Sequence, residues 1–141
     1  MQAFLQDKQL ILFLLNYNPD LTEEMYSIYK EFNFSASHTL NGLEEGHPCM
    51  RLHGHNYKVF FHFKGELNAN GFIIDYRQLH PIKEYLDTVL DHSHLNDILK
   101  IQPSAENIAF FLYSKFKKQF EQLYRVDVKE TEKTMASYVE D

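Results

Sequence analysis

The chain has 141 residues, a formal net charge of -6, and 44% hydrophobic and 15% aromatic residues. This length fits one domain with enough apolar material for a core, which argues against wholesale disorder. The negative charge disfavours a protein that binds nucleic acid, because such proteins are usually basic. A phosphorylated small molecule stays compatible with it, since a few local cations can bind phosphate.

One cysteine and one short apolar run bear on where the protein works. Cys49 is the only cysteine, so no intrachain disulfide can form and a reducing compartment is the simpler interpretation. The longest apolar run, Leu10 to Leu15, is too short to span a bilayer. Asp7 precedes this run and no small-residue cleavage site follows it, which disfavours a secretory signal. We therefore expect a cytoplasmic protein that has no membrane or nucleic-acid partner.

The first 24 residues differ in character from those that follow. Their apolar run leads into a turn signal at 16–20, and Met25, which could itself be a start codon, comes soon after. We interpret residues 1–24 as an N-terminal extension of unknown role and residues 25–141 as the folded domain.

Period-two patterns predict two strands that are connected to histidines. The first strand carries apolar residues on one face and runs into His38, and the second begins near His53. The residues that share a face are Tyr26, Ile28, Phe32, Phe34 and Ala36 in the first strand, and His53, His55, Tyr57, Val59, Phe61 and Phe63 in the second.

The second half of the chain predicts two helices between strands. After a short strand at 72–74, Asp75 is a candidate helix N-cap, with Pro81 near the helix start. Ser104 is a second N-cap candidate, and a last strand covers 126–128. This order predicts an α+β fold in which helices cover an antiparallel sheet. The helix-spaced apolar residues are Leu79, Ile82, Leu86 and Val89, and then Ile108, Phe111, Leu112, Phe116 and Phe120.

The tripeptide His53-Gly54-His55 predicts a metal site. Residues i and i+2 of a strand point to the same face, so both imidazoles can reach one ion, with Gly54 removing bulk between them. His38, at the end of a neighbouring strand, would complete a set of three nitrogens with an open position, as in catalytic zinc sites. Imidazole also suits Cu, Ni and Fe, and an HxH pattern alone also occurs by chance. We interpret three other histidines as ordinary solvated or partly packed side chains: His47, His62 and His80.

Three further positions are candidates for acid–base or binding chemistry. A Cys49 thiolate near a metal could act as a base, although a lone cysteine is more often a small buried apolar residue. Asp91 could orient His92, although a solvated pair at a helix end is equally ordinary. Glu130 could anchor an NH–C–NH₂ edge with two hydrogen bonds, the alternative being a strand-end glutamate in water.

Taken together, these pieces resemble the 6-pyruvoyl-tetrahydropterin synthase and 6-carboxytetrahydropterin synthase family. The resemblance covers about residues 26 to 138, in the family's order, and residues 1–24 have no counterpart in it. The matching stretches are Phe32-Asn-Phe-Ser-Ala-Ser-His38, Cys49-Met-Arg-Leu-His53-Gly-His55-Asn-Tyr57, Gly71-Phe-Ile-Ile-Asp75-Tyr76, Leu90-Asp91-His92-Ser-His-Leu95-Asn96, Pro103-Ser104-Ala-Glu106-Asn107 and Glu130-Thr131.

The resemblance implies a role for each candidate, and every position holds the expected residue type. It also implies a tunnelling fold, in which a four-stranded antiparallel sheet carries two helices on one face. Sheets of several copies would close into a barrel, as a homo-trimer or hexamer with active sites between subunits. The implied roles are Zn²⁺ binding by His38, His53 and His55, general base for Cys49, an acid–base dyad for Asp91 and His92, and pterin anchoring by Glu130 with Thr131.

The short Cys49-to-His53 gap resembles the carboxy-forming branch of the queuosine pathway. That branch implies a zinc-dependent lyase that converts 7,8-dihydroneopterin triphosphate to 6-carboxy-5,6,7,8-tetrahydropterin, releasing acetaldehyde and triphosphate. The alternatives are a pyruvoyl-forming synthase, which eliminates triphosphate without carbon–carbon cleavage, and a non-catalytic zinc- or pterin-binding protein. Candidate triphosphate contacts, from residue type and location, are Arg51, Lys58 and Arg77.

Overall fold

A computed structural model describes residues 10, 11 and 25–141 of the chain. The predicted N-terminal extension, with its turn signal at 16–20, lies outside the described residues except for positions 10 and 11. In the described part of the chain, no helix is long and apolar enough to cross a bilayer.

Two long antiparallel strands form the centre of the sheet. Strand β1 (Tyr26–His38) pairs with β2 (His53–Gly65) along its whole length, from Tyr26 opposite Gly65 to His38 opposite His53. The predicted apolar faces are confirmed from Phe32 to His38 at even positions and from Tyr57 to Phe63 at odd positions, where the side chains are buried. Tyr26, predicted on the same face, is 44% exposed. The sheet therefore has one face in the core and one polar face.

The sheet has five strands in mixed orientation, so the expectation of four antiparallel strands was wrong. The strand order is β3-β1-β2-β4-β5, with β3 (Ser93–His94), β4 (Leu123–Lys129) and β5 (Ala136–Val139). Strand β3 is parallel to β1, and β5 is antiparallel to β4. Strands of two and four residues are too short for a period-two pattern to predict them. Within residues 25–141, no further strand pairs with either edge of the sheet.

The short strand predicted at 72–74 is also wrong, because this segment forms a loop. The Asn68 side chain accepts hydrogen bonds from the N–H groups of Asn70 and Phe72, and the Asn68 N–H donates to the Phe72 carbonyl. These bonds close a turn locally and use backbone groups that a strand would need for a ladder.

The first helical segment begins at its predicted cap. Asp75 caps a 3₁₀ turn (Tyr76–Leu79), which continues as α1 (His80–Tyr85) and ends in a π turn (Leu86–Leu90). Val89 was wrongly predicted to face the core, since it is 38% exposed while Leu90 is buried. The π turn explains this difference, because its i to i+5 hydrogen bonding adds one residue to the turn.

Two further helices complete the fold, α2 (Leu95–Ile98) and α3 (Ala105–Phe116). The Ser104 side chain accepts a hydrogen bond from the Asn107 N–H, which confirms the predicted N-cap of α3. Phe116 packs edge-on against Phe61 of β2, so α3 covers the apolar face of the sheet. The buried side chains of sheet and helices form one core, and the three histidines lie at the end where β1 stops and β2 starts.

Candidate metal centre

Three histidines converge where β1 ends and β2 begins. The antiparallel register places His38 opposite His53 and Ala36 opposite His55, so all three imidazoles reach the same face. One ligand nitrogen from each lies within 4.8 Å of the other two. The His38 side chain is 1% exposed, which fixes one ligand firmly in the core. The predicted set of three imidazoles is therefore brought together, and it could hold a metal ion.

Backbone carbonyls assign the tautomers of two of these rings. His38 Nδ1 is 2.7 Å from the Pro103 carbonyl oxygen, and His53 Nδ1 is 2.7 Å from that of Arg51. A carbonyl oxygen only accepts hydrogen bonds, so each Nδ1 carries the hydrogen and each Nε2 presents a lone pair. Histidines that bind a metal through one ring nitrogen usually donate the N–H of the other to such a carbonyl oxygen.

The spacing of these nitrogens supports a cation between them. The Nε2 atoms of His38 and His53 are 2.9 Å apart, and two lone pairs at that distance repel each other. A shared cation relieves this repulsion, and tetrahedral Zn²⁺ with Zn–N bonds of about 2.0–2.1 Å needs only a small outward movement of the rings. The donor set therefore fits a metal ion.

The surroundings of the third ring, His55, favour its neutral form. Burial lowers the pKa of His55, and the neighbouring His38 and His53 lower it further, against the raising effect of the Glu130 carboxylate. A neutral imidazole is the form that binds metals. Below this group, Tyr57 is fully buried with its hydroxyl 3.2 Å from His38 Nδ1, and burial followed by the Glu130 charge raises the pKa of Tyr57.

Gly54 leaves room for the backbone of β1, whereas the sequence suggested that it leaves room between the two imidazoles. A Cβ atom at this position would lie 3.0 Å from the Ala36 carbonyl oxygen and 3.6 Å from Ser37 Cα. It would press on the backbone of β1 and would not lie between the imidazoles. The glycine thus permits β1 and β2 to approach closely just beside the ligands.

Cys49 lies on a turn that contacts the chain just after the end of β1. It is part of a 3₁₀ turn (Pro48–Met50), and its carbonyl accepts a 2.9 Å hydrogen bond from the Leu40 N–H. The thiol is free and half-buried. Its sulfur is not part of the three-histidine group. The turn therefore brings Cys49 back to the chain segment that directly follows His38.

Asp91 and His92 form the predicted pair on the outer edge of β1. Asp91 Oδ2 is 2.7 Å from His92 Nδ1, and Asp91 Oδ1 accepts a 2.8 Å bond from the Ser35 N–H. These two contacts lower the pKa of Asp91. His92 has φ +56, and its N–H donates to the Ser35 carbonyl. A cavity of about 560 Å³ is lined by both His92 and the metal-site residue His55.

The side chains of Glu130 and Thr131, which directly follow β4, make different contacts. Glu130 Oε1 lies 3.9 Å from His38 Nε2, so the carboxylate borders the three histidines and is 25% exposed. Thr131 is exposed, and its hydroxyl bonds with Thr134 and accepts from the Lys133 N–H. Glu130 therefore faces the candidate centre, whereas the Thr131 hydroxyl bonds within a turn.

The histidines that were interpreted as ordinary stay outside the metal group. His47 accepts a hydrogen bond from the Cys49 N–H, and His62 pairs with the buried Asp127 at 2.6 Å. His80 is exposed at the start of α1. Two of the candidate triphosphate contacts have carboxylate partners: Lys58 pairs with Glu132 at 2.5 Å and Arg77 with Asp75 at 2.9 Å.

The sequence analysis missed the loop that supports His38. Pro103 was noticed only as the residue before the Ser104 cap, yet its carbonyl assigns the tautomer of His38. A backbone carbonyl has no signature in residue type, so no motif could have revealed it. Asn96, for which the sequence predicts a structural role in the turn after the first helix, bonds both backbone groups of Thr39.

Comparisons with known proteins identify the family of this chain. Residues 27–141 match the family described as 6-pyruvoyl tetrahydropterin synthase. A 6-carboxy-5,6,7,8-tetrahydropterin synthase of Synechocystis sp. is 34% identical over 125 residues, covering 81% of this chain and 93% of the relative. The 6-pyruvoyl tetrahydrobiopterin synthase of Homo sapiens is 29% identical over 132 residues, covering 79% of this chain and 89% of the relative.

A solved structure supports the same assignment. The 6-pyruvoyl tetrahydropterin synthase of Caenorhabditis elegans superposes with a TM-score of 0.74 at 26% sequence identity, covering 84% of this chain and 97% of that chain. The family match and the fold agree over most of the chain. The protein therefore belongs to the 6-pyruvoyl tetrahydropterin synthase family of pterin-processing enzymes.

Proposed function

We propose that the chain is a zinc-dependent 6-carboxytetrahydropterin synthase of queuosine (7-deazapurine) biosynthesis. It would convert 7,8-dihydroneopterin triphosphate to 6-carboxy-5,6,7,8-tetrahydropterin with release of acetaldehyde and triphosphate. The observation that carries this proposal is the group of three imidazoles, two with the metal-binding nitrogen freed by a carbonyl contact, with the Glu130 carboxylate 3.9 Å from His38. Cys49 lies on a turn that bonds to Leu40, and His92, which pairs with Asp91, lines a cavity together with His55. The Synechocystis relative, which bears this activity in its name, supports the choice of branch.

Zinc is the metal that this donor set favours. Three protein ligands with a vacant fourth position are the usual arrangement of catalytic zinc, and neutral imidazole is a good ligand for it. We assign the ligands as His38, His53 and His55. When bound there, the ion would supply Lewis-acid polarisation of the oxygens of the substrate side chain.

The remaining residues would move protons and orient the pterin. Cys49 would remove the carbon-bound proton at C1′, where the electron pair left behind delocalises into the neighbouring C=N bond of the ring. His92 would move protons on and off the side-chain oxygens, while Asp91 orients the imidazole and stabilises its cationic form. Glu130, with Thr131, would hold the NH–C–NH₂ edge of the ring and so place C1′ beside the base.

The bond changes follow from this proton movement. Shifting the unsaturation outward along the side chain makes triphosphate a β leaving group, which departs with its bonding electron pair. Addition of water to the C1′ carbonyl, followed by cleavage of the carbon–carbon bond beyond C1′, then releases two carbons as acetaldehyde and leaves a carboxylate on C6. The water supplies the second carboxylate oxygen, and the acyl carbon that leaves takes up a proton. Cations are needed for the triphosphate, and Arg51, Lys58 and Arg77 are the candidates.

We further propose that copies of the chain assemble through their open sheet edges, as a trimer or a hexamer. The N–H and C=O of Ser35 point away from β2, since they bond to Asp91 and His92. Backbone direction alternates along a strand, and in the described part of the chain β3 pairs with β1 only at Ala36 and Ser37. The residues whose backbone groups point to the same unpaired edge are Ser27, Tyr29, Glu31 and Asn33.

The opposite edge of the sheet offers a matching partner. In the described part of the chain, strand β5 pairs with β4 on one side only, and its four residues could pair with four consecutive residues of the unpaired edge of β1. Pairing β1 of one copy with β5 of the next would remove both edges and close a barrel. It would also bring the Asp91–His92 pair, which lies on the β1 edge, next to a neighbouring copy.

A pyruvoyl-forming synthase is the second candidate. The likeness to the Caenorhabditis elegans enzyme, in both fold and sequence, favours it. That reaction would use the same base and dyad but would retain the three-carbon side chain.

Mass spectrometry of the product separates the two candidates. We expect incubation with 7,8-dihydroneopterin triphosphate to yield acetaldehyde and a pterin with a single carboxylate carbon on C6. A product that keeps three side-chain carbons would refute the carboxy-forming assignment in favour of the second candidate. Release of triphosphate without any change in the pterin would exclude both.

A further inference from the structure

We infer that Asn96 is a positioning residue for the metal centre, acting through the backbone that joins His38 to the Cys49 turn. The inference rests on the proposed metal site and adds a residue to it. The hydrogen bonds of the Asn96 side chain go to the Thr39 backbone, so its effect would be transmitted by the chain segment that it holds.

Asn96 holds the residue that directly follows His38. Its side-chain Oδ1 accepts a 2.9 Å hydrogen bond from the Thr39 N–H, and its Nδ2 donates a 2.9 Å bond to the Thr39 carbonyl. Strand β1 ends at His38, so no ladder bond is present to fix Thr39. The carboxamide replaces a neighbouring strand at this position, because it offers one donor and one acceptor as a peptide group does.

The same segment carries contacts to both functional elements. One residue further on, the Leu40 N–H donates to the Cys49 carbonyl at 2.9 Å. The next residue, Asn41, donates its N–H to Gln102 Oε1 at 2.8 Å, beside the Pro103 carbonyl that accepts from His38 Nδ1. Residues 39–41 therefore connect the ligand, the Cys49 turn and the carbonyl that sets the ligand's tautomer.

Asn96 thus fixes the backbone that follows His38, and the Pro103 carbonyl fixes the ring of His38. If the segment shifted, His38 Nδ1 would lose its short contact with Pro103 and the Cys49 turn would move with Leu40. Contacts around metal ligands of this kind typically change metal affinity by about 10- to 100-fold when removed. Asn96 is the only described side chain that bonds both backbone groups of residue 39.

Metal binding by variants of the whole chain tests this inference. Metal-free wild type, Asn96→Asp and Asn96→Ala are titrated with Co²⁺, with affinity and visible absorption spectrum as readouts. Asn96→Asp keeps the acceptor for the Thr39 N–H but turns the donor into a carboxylate oxygen that faces the Thr39 carbonyl. We expect both variants to bind Co²⁺ about 10- to 100-fold more weakly and with an altered spectrum.

Asn68→Ala is the matched control. Asn68 also bonds two backbone groups, those of Asn70 and Phe72, but in the loop remote from the histidines. We expect this variant to bind Co²⁺ with wild-type affinity and spectrum. A role of Asn96 in general stability alone would make it behave like this control.

Thermal unfolding separates a positioning role from loss of fold. If Asn96→Ala does not fold without metal, the rise in Tm on adding Co²⁺ is compared between Asn96→Asp and Asn68→Ala. Equal Co²⁺ affinity, or an equal metal-induced rise in Tm, would overturn the positioning role while leaving the metal site intact. Failure of the wild type to bind Co²⁺ would instead overturn the proposed metal function, and the inference with it.

Discussion

The tautomers of His38 and His53, and not the presence of the imidazoles alone, make the histidine cluster a candidate metal site. Two carbonyl contacts of 2.7 Å place the hydrogens of His38 and His53 on Nδ1 and leave their Nε2 lone pairs facing each other. Cys49 lies outside this ligand group, on a turn that contacts residue 40. The proposed base therefore lies outside the candidate ligand group, so the two proposed roles are expected to respond to different substitutions.

Substitution of single residues is expected to separate these roles. Cys49→Ala should retain zinc and reduce turnover by about 10²- to 10⁴-fold, the usual contribution of a general base. His53→Ala should lose zinc, because it removes one of three ligands. Metal analysis of the purified proteins, together with triphosphate release, measures both effects. Full activity in Cys49→Ala would show that the base has been assigned wrongly.

At the scale of elements, the close pairing of β1 and β2 creates the site. The register places His38 opposite His53, and Gly54 permits this contact, since any Cβ there would meet the Ala36 carbonyl at 3.0 Å. At the far end of the same strand, a Cβ on Gly65 would meet its nearest neighbour, Ile73, at an ordinary 3.5 Å. The two glycines of β2 thus have unequal tolerance for a side chain.

Gly54→Ala is expected to destabilise the fold and weaken metal binding. The added methyl group must push the end of β2 away from β1, a kind of overpacking that costs about 1–3 kcal/mol. Gly65→Ala is the control, and we expect it to stay within about 0.5 kcal/mol of the wild type, since substitutions without such a clash are usually small. Denaturant unfolding and zinc titration measure both variants, and a Gly54→Ala protein with wild-type stability and affinity would contradict the close-approach argument.

The polar face of the sheet holds a buried carboxylate that links three strands. Asp127 of β4 is 2% exposed and pairs with His62 of β2 at 2.6 Å and with Arg125 at 2.7 Å. Burial alone would raise the pKa of Asp127, but hydrogen bonds from His62, Arg125 and Ser137 outweigh it and lower the pKa to about 2. The ionised form is therefore favoured in the folded state.

Stability is expected to fall as acid protonates this group. A folded pKa below the unfolded value of 3.8 contributes stability that is present above about pH 4 and is lost as pH falls toward 2. The loss attributable to Asp127 is about 2 kcal/mol by linkage. Urea unfolding of wild type and Asp127→Asn between pH 6 and 2 measures it. The variant should have a lower free energy of unfolding at pH 6, and this free energy should change less with pH than that of the wild type. If the free energies of unfolding of the two proteins fall in parallel with pH, the assignment to Asp127 is wrong.

At the scale of the whole molecule, the two edges of the sheet are the feature that bears on assembly. Among the described residues, the five-stranded sheet is open at β1 and at β5, and the Asp91–His92 pair lies on the β1 edge. Open edges invite pairing with another chain, and closure into a ring removes them. The proposed assembly would therefore complete both the sheet and the surroundings of the acid–base pair.

Glu31→Pro is expected to prevent assembly without breaking the chain's own sheet. Residue 31 has the same parity as Ser35, so its N–H points to the open edge, and proline removes that donor and leaves the pairing with β2 intact. Glu31→Ala keeps the N–H and is the control. Light scattering should give a multiple of 16.8 kDa for the wild type and Glu31→Ala, and the monomer mass for Glu31→Pro. A wild type that is monomeric at all concentrations would exclude assembly through this edge.

The sequence by itself determined the parts of this protein that depend on local pattern. Alternation along β1 and β2 predicted which side chains are buried, and the HxH pattern with His38 predicted the ligands that converge. The Ser104 and Asp75 caps were predicted for the same reason, because a cap depends on residues only a few positions apart. The order of motifs predicted the family, which the match over residues 27–141 confirmed.

Tertiary structure alone decided the features that depend on contacts distant in sequence. The short strands β3 and β5 form because longer neighbouring strands offer them hydrogen bonds. The π turn buries Leu90 in place of Val89, which was predicted to face the core. The carbonyl of Pro103 reaches His38 across 65 positions, and backbone groups of this kind have no residue signature. Residue types therefore identified the candidate ligands, whereas their tautomers and support were set by backbone groups that only the fold brings near.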